Sequence, residues 1–228
     1  RSVSWARDVY KRQVPMMPKF ASGFWQCKLR YKTQEELLKV AHEYKDKGLP
    51  INVIVIDFFH WPNQGEWKFD PKYWPDPKGM VDELKQMGIK LMVSIWPTVD
   101  VNSENYDEMN DKGYLVRSER MYQDSYHFMG NETFFDATNP GARKYVWDKA
   151  KQNYYDNGVR MFWLDEAEPE YGFMYDFDHF RYYLGPALKL SNVYPLDYAK
   201  AFYEGQKAAG QKDLSLIHIS EPTRRYAI

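Results

Sequence analysis

The sequence holds one cysteine in 228 residues, Cys27, so no intramolecular disulfide can form and the redox compartment is left open. A lone thiol is by default a buried small hydrophobe. There is no excess of positive charge either: Lys and Arg number 31 against 32 Asp and Glu, a formal net charge of -1. Without a basic field nothing holds a phosphate backbone, which excludes nucleic acid as the natural partner and favours a neutral one. No apolar run approaches the roughly 20 residues that cross a bilayer, so no membrane segment is expected, and the first residues lack the basic start and apolar stretch of a signal peptide. No His or Cys spacing suits zinc. The central region shows no internal repeat and no low-complexity linker.

Aromatic residues are plentiful, 18% of the chain with 8 Trp and 19 Tyr. Flat rings with a polar edge suit the apolar faces of sugars, and they serve equally well in an aromatic-rich core. The two ends do not share the rhythm of the middle. Residues 1–13 and 214–228 resemble translated library-adapter sequence and are expected to be non-native, leaving 14–213 as the authentic segment.

Within those limits strand and helix patterns alternate. A short strand is predicted over 20–26, then a helix opened by Thr33 with Glu36 three residues on, a capping-box pattern, and closed by Gly48. Residues 51–56 are β-branched and nearly all apolar, as in a parallel strand buried on both faces, and they run into Asp57. A helix over 78–87 and a strand over 89–95 follow, the latter leading into Trp96 and Pro97. A long irregular stretch to Phe135 contains one predicted short helix over 103–111. Asn139 and Pro140 then read as cap and first turn of a helix with Trp147, Ala150 and Tyr154 on one face, and 159–164 as the fourth strand. Further helices are predicted around 177–184 and 197–209.

Four strand-then-helix units in one direction imply an α/β fold with a parallel sheet, either part of a (β/α)8 TIM barrel or an open doubly wound sheet. The barrel is preferred. No glycine-rich phosphate turn follows the first strand, which removes the main sequence reason for a dinucleotide fold, and no cofactor is implied. In a β/α barrel the active site lies at the carboxyl ends of the strands. Here the second strand ends in Asp57, Phe58, Phe59, His60 and Trp61, the third in Trp96 and Pro97, and the fourth in Asp165, Glu166, Ala167 and Glu168. Carboxylates at two strand ends beside aromatic rings describe a pocket that binds a polyol and stabilises positive charge near it. A glycosidic carbon passing through an oxocarbenium-like transition state needs a carboxylate on one face and a proton donor on the other. Asp165 is the candidate nucleophile, and Glu168 either orients it or accepts a sugar hydroxyl. Glu166 and Glu170 read as solvated or structural, and His60 as a structural hydrogen-bonder.

Two other classes compete. A metal-dependent barrel enzyme would use Asp165, Glu166, Glu168 and Glu170 as oxygen ligands to a hard cation, but consecutive acids followed by Pro169 cannot all converge, so no metal site is assigned. A noncatalytic carbohydrate-binding protein would keep the aromatic walls alone.

Several runs in fixed order resemble the catalytic barrel of glycoside hydrolase family 31, and more narrowly its bacterial α-xylosidases. They are Gly23-Phe24-Trp25-Gln26, Pro50 through Asp57 with Trp61, Phe69-Asp70, Trp74-Pro75-Asp76-Pro77, Ile95-Trp96-Pro97, and Phe162-Trp163-Leu164-Asp165-Glu166-Ala167-Glu168-Pro169. The resemblance covers most of 14–213. It implies a partial barrel of about the first four to five β/α units, with a retaining hydrolase acting on a neutral α-linked oligosaccharide. α-Xylose released from the non-reducing end of xyloglucan-type chains is the expected reaction, and α-glucosidase the alternative within the family. By the same resemblance Asp165 matches the nucleophile, Asp57 an aspartate binding sugar hydroxyls, Phe59 and Trp96 aromatic walls, and Trp163 a variable pocket position. The family's acid/base aspartate and a substrate-gripping arginine fall on later strands, past the point where adapter-like sequence begins. General-acid help is worth about 10²–10⁴-fold, so the polypeptide alone is expected to be nearly inactive.

Overall fold

The computed structural model describes residues 17–119, 130–169 and 179–211. Its first element corrects the predicted strand over 20–26. Lys19–Ser22 is instead a 3₁₀ turn, with Ala21 N–H bonded to Pro18 O and Gly23 N–H to Phe20 O, and strand β1 starts later, at Trp25–Lys28. Those local bonds occupy carbonyls that a strand would offer to its neighbour.

Helix α1 spans Gln34–Asp46. Thr33 Oγ1 accepts from Glu36 N–H at 3.1 Å, and Gly48 at φ 64° supplies the left-handed residue that ends the helix. The capping box is only half closed: the Glu36 carboxylate accepts from Lys32 N–H and pairs with Lys28 rather than returning to Thr33. Strand β2 (Val53–Ile56) is buried along its whole length. Helix α2 (Pro77–Gln86) begins one residue ahead of its predicted start, capped by Asp76, whose carboxylate accepts from Gly79 N–H at 2.8 Å. Strand β3 (Lys90–Ile95) follows.

The stretch that the sequence leaves irregular contains three short strands and a helix. Strand β4 (Thr98–Asp100) pairs antiparallel with β6 (Glu132–Phe134), while helix α3 (Tyr106–Asp111) and strand β5 (Arg117–Ser118) lie between them in the chain. Helix α4 (Pro140–Ala150) is capped by Asn139 and runs on into a π-helical turn, Lys151–Tyr155, before strand β7 (Met161–Leu164).

The helix predicted around 177–184 is not formed: residues 177 and 178 lie outside the described residues, and Phe180–Tyr182 is strand β8. It pairs antiparallel with β5 on one side and with β9 (Gly185–Pro186) on the other. Phe180 and Tyr182 are buried while Arg181 is exposed, the period of two that a strand requires. The hairpin is tied back by Asp136, which accepts from Tyr183 N–H and, at 2.9 and 2.7 Å, from the Thr138 amide and hydroxyl. A one-turn helix α5 (Ala187–Leu190) leads to helix α6 (Tyr194–Ala208), which starts a turn ahead of the predicted 197.

Strands β1, β2, β3 and β7 form one parallel sheet in that order, and α1, α2, α4 and α6 follow them in turn. Four β/α units of a barrel are therefore present. Register assigns each strand residue to one of two faces. Val55, Met92 and Met161 align across the sheet and, with Val53, form a small cluster; Ile56, Val93 and Phe162 align one residue further on and belong to the main core. The main core lies between sheet and helices. There Phe162, fully buried, has its ring centroid 5.2 Å from Phe202 and 6.3 Å from Trp147. Helices α4 and α6 approach closely at Gly205, where a Cβ would lie 2.2 Å from the Trp147 indole. Cys27 corrects the default of a buried thiol. It is exposed, on the cluster's face of the outer strand β1.

Candidate active site

The sheet's cluster face carries the predicted residues at its carboxyl end. Continuing the register past the strands, Asp57 falls beside Ser94, Trp163 pairs with Ser94, and Trp96 falls beside Asp165. Asp57, Trp96, Trp163 and Asp165 therefore point to the same side of the sheet, Trp96 and Asp165 two residues further along the strands than Asp57 and Trp163.

Asp165 is anchored by its own amide, which donates to Ile95 O at 3.0 Å, and its Oδ2 accepts from Trp96 Nε1 at 3.2 Å. Asp57 is 7% exposed, and its Oδ1 accepts from Phe58 N–H at 2.8 Å. Burial pushes the Asp57 carboxyl above the usual carboxylate range; the Phe58 amide opposes this, the Asp165 charge adds to it, and the Arg30 guanidinium opposes it again. The Asp165 charge is thus near enough to Asp57 to add to the effect of burial.

The Trp96 ring is buried against Phe58, Phe59 and Trp61, with centroids at 5.1, 5.8 and 6.2 Å. Trp163 is a third exposed. Phe59 has φ 56° and Glu166 φ 54°, left-handed conformations for bulky residues one or two positions after a strand-end aspartate. Such residues cost about 1–3 kcal/mol each and persist where surrounding packing imposes them, commonly at functional sites. Glu168 is exposed and has no hydrogen bond or ion pair among the described residues, so the group that orients Asp165 here is Trp96 and not Glu168.

Arg30 escaped the sequence reading. Its guanidinium lies 5.1 Å from the Phe59 ring centroid and 5.8 Å from that of Phe58. The strand-end rule would have found it had β1 been placed at 25–28 rather than 20–26.

His60 has the structural role expected of it. Its Nδ1 lies 2.9 Å from Asp57 O, which can only accept, so that nitrogen carries the proton, and Nε2 accepts from the Tyr154 hydroxyl at 2.8 Å. The ring joins the strand-end loop to the π-helical turn behind it. Complete burial lowers its pKa from 6.5 to about 4. Protons therefore go preferentially to the unfolded chain between those values, and stability falls as pH drops through that window, by up to about 3 kcal/mol from this residue. Asp57 and Asp136, held high by burial, act in the opposite sense. Comparing urea midpoints of the wild type and His60→Gln at pH 7, 6 and 5 isolates the imidazole. The wild type is expected to lose stability relative to the variant as pH falls, and parallel curves would reject the assignment.

Among the described residues no three His, Cys, Asp or Glu side chains cluster as a metal ion would require, and no helix is long and apolar enough to cross a membrane.

Known proteins share sequence and fold with this chain. Residues 14–220 match the model of the glycosyl hydrolases family 31 TIM-barrel domain. An uncharacterised family 31 glucosidase of Pseudescherichia vulneris is 56% identical over 216 residues, covering 94% of this chain and 41% of that protein. An α-xylosidase of Saccharolobus solfataricus is 35% identical over 213 residues, 90% of this chain and 27% of its own. The crystal structure of a family 31 α-xylosidase from a soil metagenome, complexed with xylose, superposes with a TM-score of 0.83 at 65% identity, covering 86% of this chain and 29% of that one. The chain thus spans about two-fifths or less of the length of these relatives. Over that length, sequence and fold agree that it belongs to glycoside hydrolase family 31 and carries part of its TIM-barrel domain.

Proposed function

We propose that this barrel segment supplies the nucleophile and part of the sugar subsite of a retaining α-glycosidase, with α-xylosides preferred. The observation carrying the proposal is the Asp165 carboxylate, bonded at a strand end by the Trp96 indole, on the same side of the sheet as Asp57 and beside the rings packed around Trp96. In this reading Asp165 attacks the anomeric carbon as the glycosidic C–O bond breaks and a general acid protonates the departing oxygen. Water then displaces Asp165, and the sugar leaves with its configuration retained. Asp57 binds hydroxyls of the bound sugar, and Glu168, exposed in the segment after β7, accepts another.

Substrate class follows from crowding. An α-glucoside differs from an α-xyloside by one hydroxymethyl group, and Phe59, Trp96 and Trp163 fill the space that group needs. Discrimination by one such group in a hydrophobic pocket is worth about 10–200-fold. Assayed at the length of its relatives, the protein is expected to give a higher kcat/KM for an aryl α-xyloside than for the α-glucoside, and a 2-fluoro-α-xylosyl fluoride is expected to label Asp165. Equal or better use of the glucoside would remove the specificity claim. A label on any other residue would remove the nucleophile.

A further inference from the structure

We infer that Trp96 is more than a wall of the sugar site: its indole N–H positions the Asp165 carboxylate and selects Oδ1 as the attacking oxygen. The inference deepens the reading of Asp165 as nucleophile and rests on it.

Trp96 is unusually well held for an aromatic residue at a pocket. Its backbone carbonyl accepts from the Trp67 indole N–H at 3.0 Å, its ring is 4% exposed, and Phe58, Phe59 and Trp61 pack around it. The donor that results points at Asp165 Oδ2 from 3.2 Å. Nothing else among the described residues bonds the Asp165 carboxylate, so Oδ1 keeps its lone pairs. A carboxylate two rotatable bonds from the backbone can turn, and a fixed N–H on one oxygen restricts that freedom. The Asp165 amide, bonded to Ile95 O, fixes the backbone end of the same lever.

The consequence for the reaction follows from the two oxygens becoming different. An Oδ1 lone pair forms the bond to the anomeric carbon while the glycosidic C–O bond breaks, its electron pair and a proton from a general acid going to the departing alcohol. Oδ2 becomes the carbonyl oxygen of the resulting ester and keeps accepting from Trp96. In the second step water, giving its proton to a general base, attacks the anomeric carbon; the bond from that carbon to Oδ1 breaks, its electron pair returns to the carboxylate, and as Oδ2 regains negative charge the same N–H stabilises it. One donor therefore serves both halves of the reaction, acting where charge redistributes.

A role as wall and a role as donor separate when the ring is kept and the N–H removed. Replacing Trp96 by β-(3-benzothienyl)alanine substitutes sulfur for N–H in a ring of nearly the same shape; Trp96→Phe removes the N–H together with part of the ring. At the length of its relatives, the benzothienyl protein is expected to lose about tenfold in kcat, equivalent to about 1.4 kcal/mol, with KM for the α-xyloside changed by less than about twofold. Its rate of inactivation by the fluoro sugar falls in parallel. Trp96→Phe shows the same loss in kcat and a raised KM as well. A benzothienyl protein with wild-type kcat and inactivation rate overturns the inference, leaving Trp96 a wall. Labelling of a residue other than Asp165 in the unmodified protein overturns the nucleophile reading instead, so the two failures are distinguishable.

Discussion

In the protein at the length of its relatives, replacing Asp165 by asparagine is expected to reduce turnover of an α-glycoside by at least about 10⁴-fold, in line with removal of a nucleophile in other two-step enzymes. The substitution is nearly isosteric and leaves an oxygen to accept from Trp96, so the loss reports chemistry rather than collapse of the site. Asp165 is only partly buried, and its amide bond to Ile95 is untouched, so the urea midpoint should stay close to wild type. The missing nucleophile can also be replaced from solution. In Asp165→Ala, azide entering the space left by the carboxylate would attack the anomeric carbon from the same side and remain there, giving a glycosyl azide of inverted configuration. Turnover by Asp165→Asn within about tenfold of wild type, with no azide dependence in Asp165→Ala, would assign the nucleophile elsewhere.

Phe162→Ala is expected to be the most damaging single truncation, at about 3–5 kcal/mol for a fully buried phenylalanine. Its ring is the hinge between β7 and two helices, 5.2 Å from Phe202, 6.3 Å from Trp147 and 6.5 Å from Tyr154. These neighbours are themselves large and interlocked, so the cavity cannot close by small shifts. Trp163, the next residue, offers the control. It faces the other side of the sheet and is a third exposed, so Trp163→Ala should cost far less in a denaturant titration. Similar losses for the two variants would mean that the two faces are not distinct in the folded protein.

The elements most legible in the sequence were those in which pattern and cap agreed. Thr33 and Gly48 bracket α1, Asn139 opens α4, and the unbroken apolar run before Asp57 gave β2 with its ending correct. The failures share a cause. Strands β4, β5, β6, β8 and β9 are two or three residues long, and each exists only because a distant segment pairs with it, as Arg117–Ser118 does with Phe180 and Arg181. No local period can accumulate over so short a span. At the site, residue types at strand ends pointed to Asp57, Trp96 and Asp165. The left-handed backbone of Phe59 and Glu166 was invisible, because neither residue favours that conformation and only the surrounding packing imposes it. Likewise the tryptophan was foreseen as a surface for sugar and not as a hydrogen-bond donor, since the direction of an N–H depends on rings that come from elsewhere in the chain.

The four-stranded sheet separates two kinds of mutational history. Residues such as Ile56, Val93 and Phe162 answer to the helices, while Val55, Met92 and Met161, one step away along the same strands, belong to the separate cluster on the opposite face. Substitutions can therefore accumulate on one side without eroding the other. His60 is the exception, because it reaches from the Asp57 loop to Tyr154 in the helical layer. A lineage that changed Tyr154 for reasons of packing would also release one hydrogen bond of the imidazole that holds the backbone at Asp57, so a change in the helical layer would be felt at a strand end on the other side of the sheet.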